Sequence, residues 1–141
     1  MSSGKCIIPA VENKLTLYPK YVGLECLANI QSLEEGPIKA SIENLIATTG
    51  YVGLFSVEMM HCKNDDKFYF TEINLRNDGA EALVTKYGAN LPLNHVEDLM
   101  GLPLTEQTEY HPGYYIWDMH HFLSLIHRDI NIITWIKDIK K

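Results

Sequence analysis

Two runs of the chain, Tyr51–His61 and Lys67–Leu75, carry the apolar and polar spacing of strands, and the polar stretch Cys62-Lys63-Asn64-Asp65-Asp66 joins them. Upstream, Lys5–Ala10 and Lys14–Tyr21 read as short strands around a Glu12-Asn13 turn. Pro37, after Glu34-Glu35-Gly36, suits the first turn of a helix; Ile38, Ile42, Leu45, Ile46 and Thr49 recur at helical spacing, and Gly50 ends that element. Beyond the hairpin, Asp78 is placed to cap a helix over Ala80–Tyr87 that Gly88 stops. A further helix is expected over Leu93–Met100, ended by Gly101. Gly101–Gly113, with Pro103 and Pro112, reads as a loop or linker. Tyr114–Trp117 suits a strand, and Met119–His127 and Ile130–Ile139 suit helices, the last with Ile133, Ile136 and Ile139 on one stripe and lysines at its end. The order is α+β, with an antiparallel sheet packed by helices and no internal repeat.

Strand side chains alternate between faces, so Glu72, Asn74 and Arg76 leave the second strand on one side. With the turn centred on Asp65, Glu58 falls opposite Glu72, Ser56 opposite Asn74, Leu54 opposite Arg76 and Met60 opposite Phe70. Facing carboxylates repel, and two of them within apolar strands require a cation between them. Two carboxylates and an amide oxygen suit magnesium, with manganese as the alternative, since a hard cation keeps waters and takes phosphate oxygens as further ligands. Arg76 can then hold a phosphate or carboxylate with its planar fork. An even-residue loop without a bulge would instead send the two acids to opposite faces.

A plainer reading stands beside this one. Glu58 and Glu72 can be solvated residues on the open face of a hairpin, with Arg76 as their surface partner. The pattern speaks for covered faces: Val52, Leu54, Met60, Phe68 and Phe70 share the acids' side, and Phe55, Val57, Met59, Tyr69, Ile73 and Leu75 share the other. Met60 and Phe70 are then placed either to sandwich an adenine or to pack in a core.

The run Gly53–Met60, then Phe68–Arg76 ending in Glu72-Ile73-Asn74-Leu75-Arg76, resembles the C-terminal metal-binding hairpin of the ATP-grasp superfamily. Carbamoyl phosphate synthetase large subunits, biotin carboxylases and D-alanine–D-alanine ligases are among its members. Gly88-Ala89-Asn90-Leu91-Pro92 and Met100-Gly101 resemble the segment downstream of that hairpin, so the likeness runs from about Ile38 to Pro103. Leu75 stands where many relatives carry proline. The resemblance implies residues 1–105 as the C-terminal subdomain of an ATP-grasp fold, with 106–141 as linker and helical extension. It implies Glu58, Glu72 and Asn74 on magnesium, Met60 against adenine, Arg76 on the transferring phosphoryl group, and substrate choice at Asn77-Asp78-Gly79. The implied activity is ATP-dependent ligation: a small carboxylate becomes an acyl phosphate, and an amine, thiol or other nucleophile displaces the phosphate.

The lysines and Gly-rich loop with which that superfamily grips the α- and β-phosphates are not recognisable before Glu58, and no other phosphate-loop motif occurs. The chain is therefore expected to be the C-terminal piece of a longer enzyme, inactive alone and partnered by N-terminal subdomains. Two rivals remain. A degenerate ATP-grasp-like nucleotide-binding or assembly module would bind without turnover, and a metal-dependent phosphate-ester hydrolase would need an Asp- or His-rich cluster.

Composition narrows partners. With 46% hydrophobic and 21% charged residues, the 141-residue chain has the make-up of one ordinary folded domain. Its net charge of −6 argues against nucleic acid and anionic membrane. No apolar run reaches the roughly 18 residues of a membrane span. Cys6, Cys26 and Cys62 lack metal spacing and suit reduced thiols in the cytoplasm. His120, His121 and His127 have no Glu or Cys to complete a metal set, so packing or surface roles are favoured.

Overall fold

The computed structural model describes residues 6–21 and 23–141 and is a mixed α+β chain of two small antiparallel sheets and five helices among those residues. It divides into two compact units, one of residues 1–9 and 33–110 and one of 10–32 and 111–141.

The second unit is built on a three-stranded sheet in the order β1 (Ala10–Tyr18), β2 (Leu24–Ser32), β5 (Gly113–Ile116). Both pairings are antiparallel. The sequence reading needs correction here. Glu12 and Asn13 do not turn the chain; they lie inside β1, opposite Ile30 and Asn29. The reason is β2, whose nine residues pair along the whole of β1, with irregularities only around Leu15 and Thr16. Its central run Glu25, Cys26, Leu27 and Ala28 is buried on successive positions, so it shows none of the alternation that marks a half-exposed strand. Lys5, read as the start of an earlier strand, lies outside the described residues. Segment 106–141 contributes β5 to this sheet and also α4 (Asp118–Ile126) and α5 (Ile132–Ile139). The α4 helix packs on β1 and β2. In the interface of α4 and α5, His121 Nε2 lies 3.2 Å from Asp138 Oδ2, both residues buried, and the His121 ring stacks on Trp135. His127 Nδ1 lies 2.6 Å from the Tyr18 hydroxyl. These histidines serve packing within the unit.

The first unit holds α1 (Pro37–Thr49), the hairpin β3 (Ser56–Cys62) and β4 (Lys67–Asn74), α2 (Glu81–Tyr87) and α3 (Leu91–Leu99). Pro37 opens α1, and Gly50 closes it in the left-handed region at φ 65°. Asp78 Oδ1 accepts the Ala80 N–H at 2.8 Å, while Ala80 is the residue that caps α2. Asn90 caps α3 by accepting the Leu93 N–H at 3.1 Å, with Pro92 in the first turn, so the helix starts two residues earlier than its apolar spacing predicts. The segment after α3 is irregular but strapped down. Glu97 accepts the Thr105 N–H at 2.8 Å, and Gln107 Nε2 donates to Asn94 Oδ1 at 3.0 Å and to the Asn90 carbonyl at 3.1 Å. The Thr105 amide first, then the Thr105 hydroxyl and the Asn94 side chain, hold the Glu97 carboxyl below its ordinary range. Gly88 completes the strap: at φ +120° a Cβ there would meet the Glu109 carbonyl oxygen at 2.1 Å. No helix among the described residues is long and apolar enough to cross a membrane.

Candidate functional site: an acid-bearing hairpin

The hairpin brings Glu58 directly opposite Glu72, and Ser56 opposite Asn74. The route to that register is not the one the pattern suggests. The turn contains four residues, Lys63–Asp66, between the paired ends Cys62 and Lys67. Continued without interruption, this even loop would set Glu58 against Thr71 and turn Glu72 to the far face. A bulge between Glu58 and Met59 prevents it: Thr71 has no partner across the ladder, and the acids meet.

Side chains fix the even turn. Tyr69 donates its hydroxyl to Asp65 Oδ2 at 2.6 Å, and the Lys67 N–H reaches Asp65 Oδ1 at 3.2 Å. The Tyr69 bond is the main reason the Asp65 carboxyl sits below its usual range and the Tyr69 phenol above its own. His61 Nε2 lies 2.7 Å from Asp66 Oδ1, and its ring stacks on its cross-strand partner Phe68 at 4.5 Å. Asp66 takes up the left-handed conformation at φ 55°, one that aspartate tolerates in turns.

The bulge also moves the aromatics. Met60 keeps the side of Glu58, but it faces Tyr69, and Phe70 pairs with Met59 on the opposite side. The pair beside the acids is therefore Met60 and Tyr69, not the expected Met60 and Phe70. The strands are also shorter than expected: residues 51–55 are irregular, and Leu54 lies before the paired ladder. The Tyr51 hydroxyl lies 2.9 Å from the Leu54 carbonyl and 3.2 Å from that of Leu75, tying the open end of the hairpin.

The expectation of two covered faces fails. Met60, Phe68, Tyr69 and Phe70 are exposed, between 44% and 66%. A hairpin's faces are covered only by elements packed on them, and among the described residues no helix packs closely on β3 or β4.

Along the acid face the polar groups form a chain. Asn74 Nδ2 donates to Glu72 Oε1 at 2.9 Å, and Arg76 donates to Asn74 Oδ1 at 3.3 Å and to the Asn77 carbonyl at 3.1 Å. Ser56 Oγ, opposite Asn74, is buried and makes no hydrogen bond. An orphaned hydroxyl beside two carboxylates and an amide is an all-oxygen donor set, the kind a hard divalent cation takes. Among the described residues no three His, Cys, Asp or Glu side chains converge as a metal cluster. A cation on this face would thus draw on amide and hydroxyl oxygens beside Glu58 and Glu72. Sequence reasoning placed Ser56 on this face without giving it a role; its position two residues before Glu58 was the available signal.

Glu81 was also missed. It opens α2 just past Arg76–Gly79, and burial, then the nearby Asp78 carboxylate, pushes its pKa up to about 7. Nothing in its spacing marks it, because the shift arises from packing.

Over 85 residues, 59% of the chain, the sequence is 35% identical to the formate-dependent phosphoribosylglycinamide formyltransferase of Bacillus subtilis (strain 168). The chain covers 21% of that relative's length. No protein-family model matches the chain, and no solved structure matches it significantly. The likeness is distant and partial: it relates the chain to an ATP-grasp enzyme at the level of the superfamily.

Proposed function

We propose that this chain supplies the metal-and-phosphate side of an ATP-grasp ligase site, one that activates a small carboxylate as an acyl phosphate for attack by an amine or another nucleophile. The observation that carries the reading is the bulged register that sets Glu58 against Glu72 beside the orphaned Ser56 hydroxyl. The partial likeness to a ligase-type enzyme supports it. That relative's name specifies formate and a glycinamide, a carboxylate and an amine-bearing compound, which is the substrate pairing proposed here as a class.

Glu58, Glu72 and Asn74, with Ser56 beside them, are the residues that would hold magnesium or manganese. The cation supplies neutralisation of the β- and γ-phosphate charge of ATP. Asn74 must turn its amide oxygen inward to serve, and Arg76, now bonded to that oxygen, is then free to swing its guanidinium onto phosphate. Met60 offers an apolar contact to the adenine. In the reaction, a carboxylate oxygen of the substrate attacks the γ-phosphorus, the bond to the bridging oxygen breaks and ADP leaves. Arg76 stabilises the charge that develops on the transferring group. The nucleophile then adds to the acyl carbon and expels phosphate. Groups for the α- and β-phosphates would come from N-terminal subdomains of the same enzyme.

The test uses manganese as a paramagnetic probe of this chain. Mn2+ should broaden the amide resonances of Ser56, Glu58, Glu72 and Asn74 first, and Glu72→Ala should weaken that binding at least ~10-fold, or about 1.4 kcal/mol. Broadening centred elsewhere, or unchanged in the variant, ends the proposal. In a complete enzyme, Glu58→Ala and Glu72→Ala should each abolish ligation.

A further inference from the structure

Within the unit that holds the hairpin lies a cavity of about 400 Å³, a size common for small-molecule sites. It is walled by the second half of α1, residues 51–55 and one face of α3, and none of Glu58, Glu72, Asn74 or Arg76 lines it. Ile46, Leu54, Phe55 and Leu91 provide apolar surface, and Ile46 is buried. Against that surface stand two carboxylates, Glu43 from α1 and Asp98 from α3.

The lining holds no lysine or arginine among the described residues. Lys39, four residues before Glu43 on α1, is bonded to Glu35 and also feels the charge of Glu43, so it offsets that carboxylate only in part. The neighbouring Asn94 is already committed, donating to Glu97 and the Thr105 carbonyl and accepting from Gln107. The remaining ring in the lining, His95, can accept from a donor as readily as it donates, so the formal charge that the lining offers a ligand is that of Glu43 and Asp98. A carboxylate or phosphate would meet two like charges in a partly desolvated space, whereas a cation with an apolar body would match both walls.

We infer that this cavity binds a small organic primary ammonium ion with an apolar body, its charge shared between Glu43 and Asp98. The cavity wall is continuous with the proposed phosphate side: residues 51–55 lead into Ser56, and the Tyr51 hydroxyl reaches the Leu75 carbonyl next to Arg76. Occupancy would be felt at Leu75.

The experiment titrates the chain with 2-phenylethylammonium, and in parallel with 2-phenylethanol and phenylacetate, following backbone amide shifts. The ammonium compound should move the amides of Ile46, Ala47, Leu54 and Leu91, and then Leu75. It should bind at least ~10-fold more tightly than the alcohol, the scale of one hydrogen bond to a charged group. Phenylacetate should bind more weakly than either. Glu43→Gln combined with Asp98→Asn should bring the ammonium compound down to the alcohol's affinity, and Ala47→Leu, which narrows the space, should weaken both. Equal affinity for ammonium and alcohol, preference for the anion, absence of binding, or shifts confined to other residues each overturn the inference. Helical circular dichroism of each variant, matched to the parent, establishes that lost binding is not lost folding.

Discussion

The two sheets handle apolar residues in opposite ways. In β2, Cys26, Leu27 and Ala28 are all within 1% of complete burial, because the strand lies between β1 and β5 and α4 packs on its sheet. In β4, Phe68, Tyr69 and Phe70 are as apolar, yet each is more than two-fifths exposed, because among the described residues no helix packs closely on the hairpin. Burial at successive positions stabilises a fold and leaves no room for chemistry. The hairpin contributes less to a core, and its face is accessible to a cation and a phosphate. Register is irregular in both ladders, β1–β2 around Leu15 and Thr16 and the hairpin at Thr71, and only in the hairpin does the extra residue align two acids.

That difference can be broken by adding one residue. Inserting an alanine between Glu72 and Ile73 carries Asn74 and Arg76 to the face opposite Glu72, and manganese affinity should fall at least ~10-fold with the strands intact. Deleting Thr71 should be tolerated, since the regular ladder that results still sets Glu58 against Glu72. Manganese line broadening at Glu58 and Glu72 reads both variants, and loss of broadening on deletion would refute the bulge as described. Leu27→Ala strikes the other side of the comparison: truncation of this 1%-exposed residue should cost about 2–5 kcal/mol in urea unfolding of the unit that holds β2. Asn90→Ala removes the α3 cap and should cost about 1 kcal/mol, a smaller loss measured the same way.

A further effect is a slope with pH. Glu81 has a pKa raised from 4.5 to about 7, so between those values the folded state holds a proton that the unfolded chain releases. Its contribution is fully present below about 4.5 and is lost as pH rises through about 7. Stability should decline across that window, and Glu81→Gln should flatten the decline. An unchanged slope in the variant would show that Glu81 is solvated.

Much of the first unit was legible because its signals are local. Pro37 and Gly50 bound α1, Gly88 stops α2, and the spacing of Glu58, Glu72, Asn74 and Arg76 names one face. What escaped was non-local. Strand β2 was hidden because burial on both sides erases alternation, and Phe70 was set on the wrong face because a bulge leaves no mark in composition. The raised proton affinity of Glu81 and the union of Glu43 with Asp98 around one cavity depend on helices folding against neighbours distant in sequence.

The sequence by itself determined which residues carry the chemistry: acids, amide and guanidinium at alternating positions, since residue type and the two-residue period of a strand are properties of the chain alone. Only the tertiary structure decided which of them face each other. Cross-strand register follows from turn length, bulges and the depth of burial of each strand, and those are settled when distant segments pack.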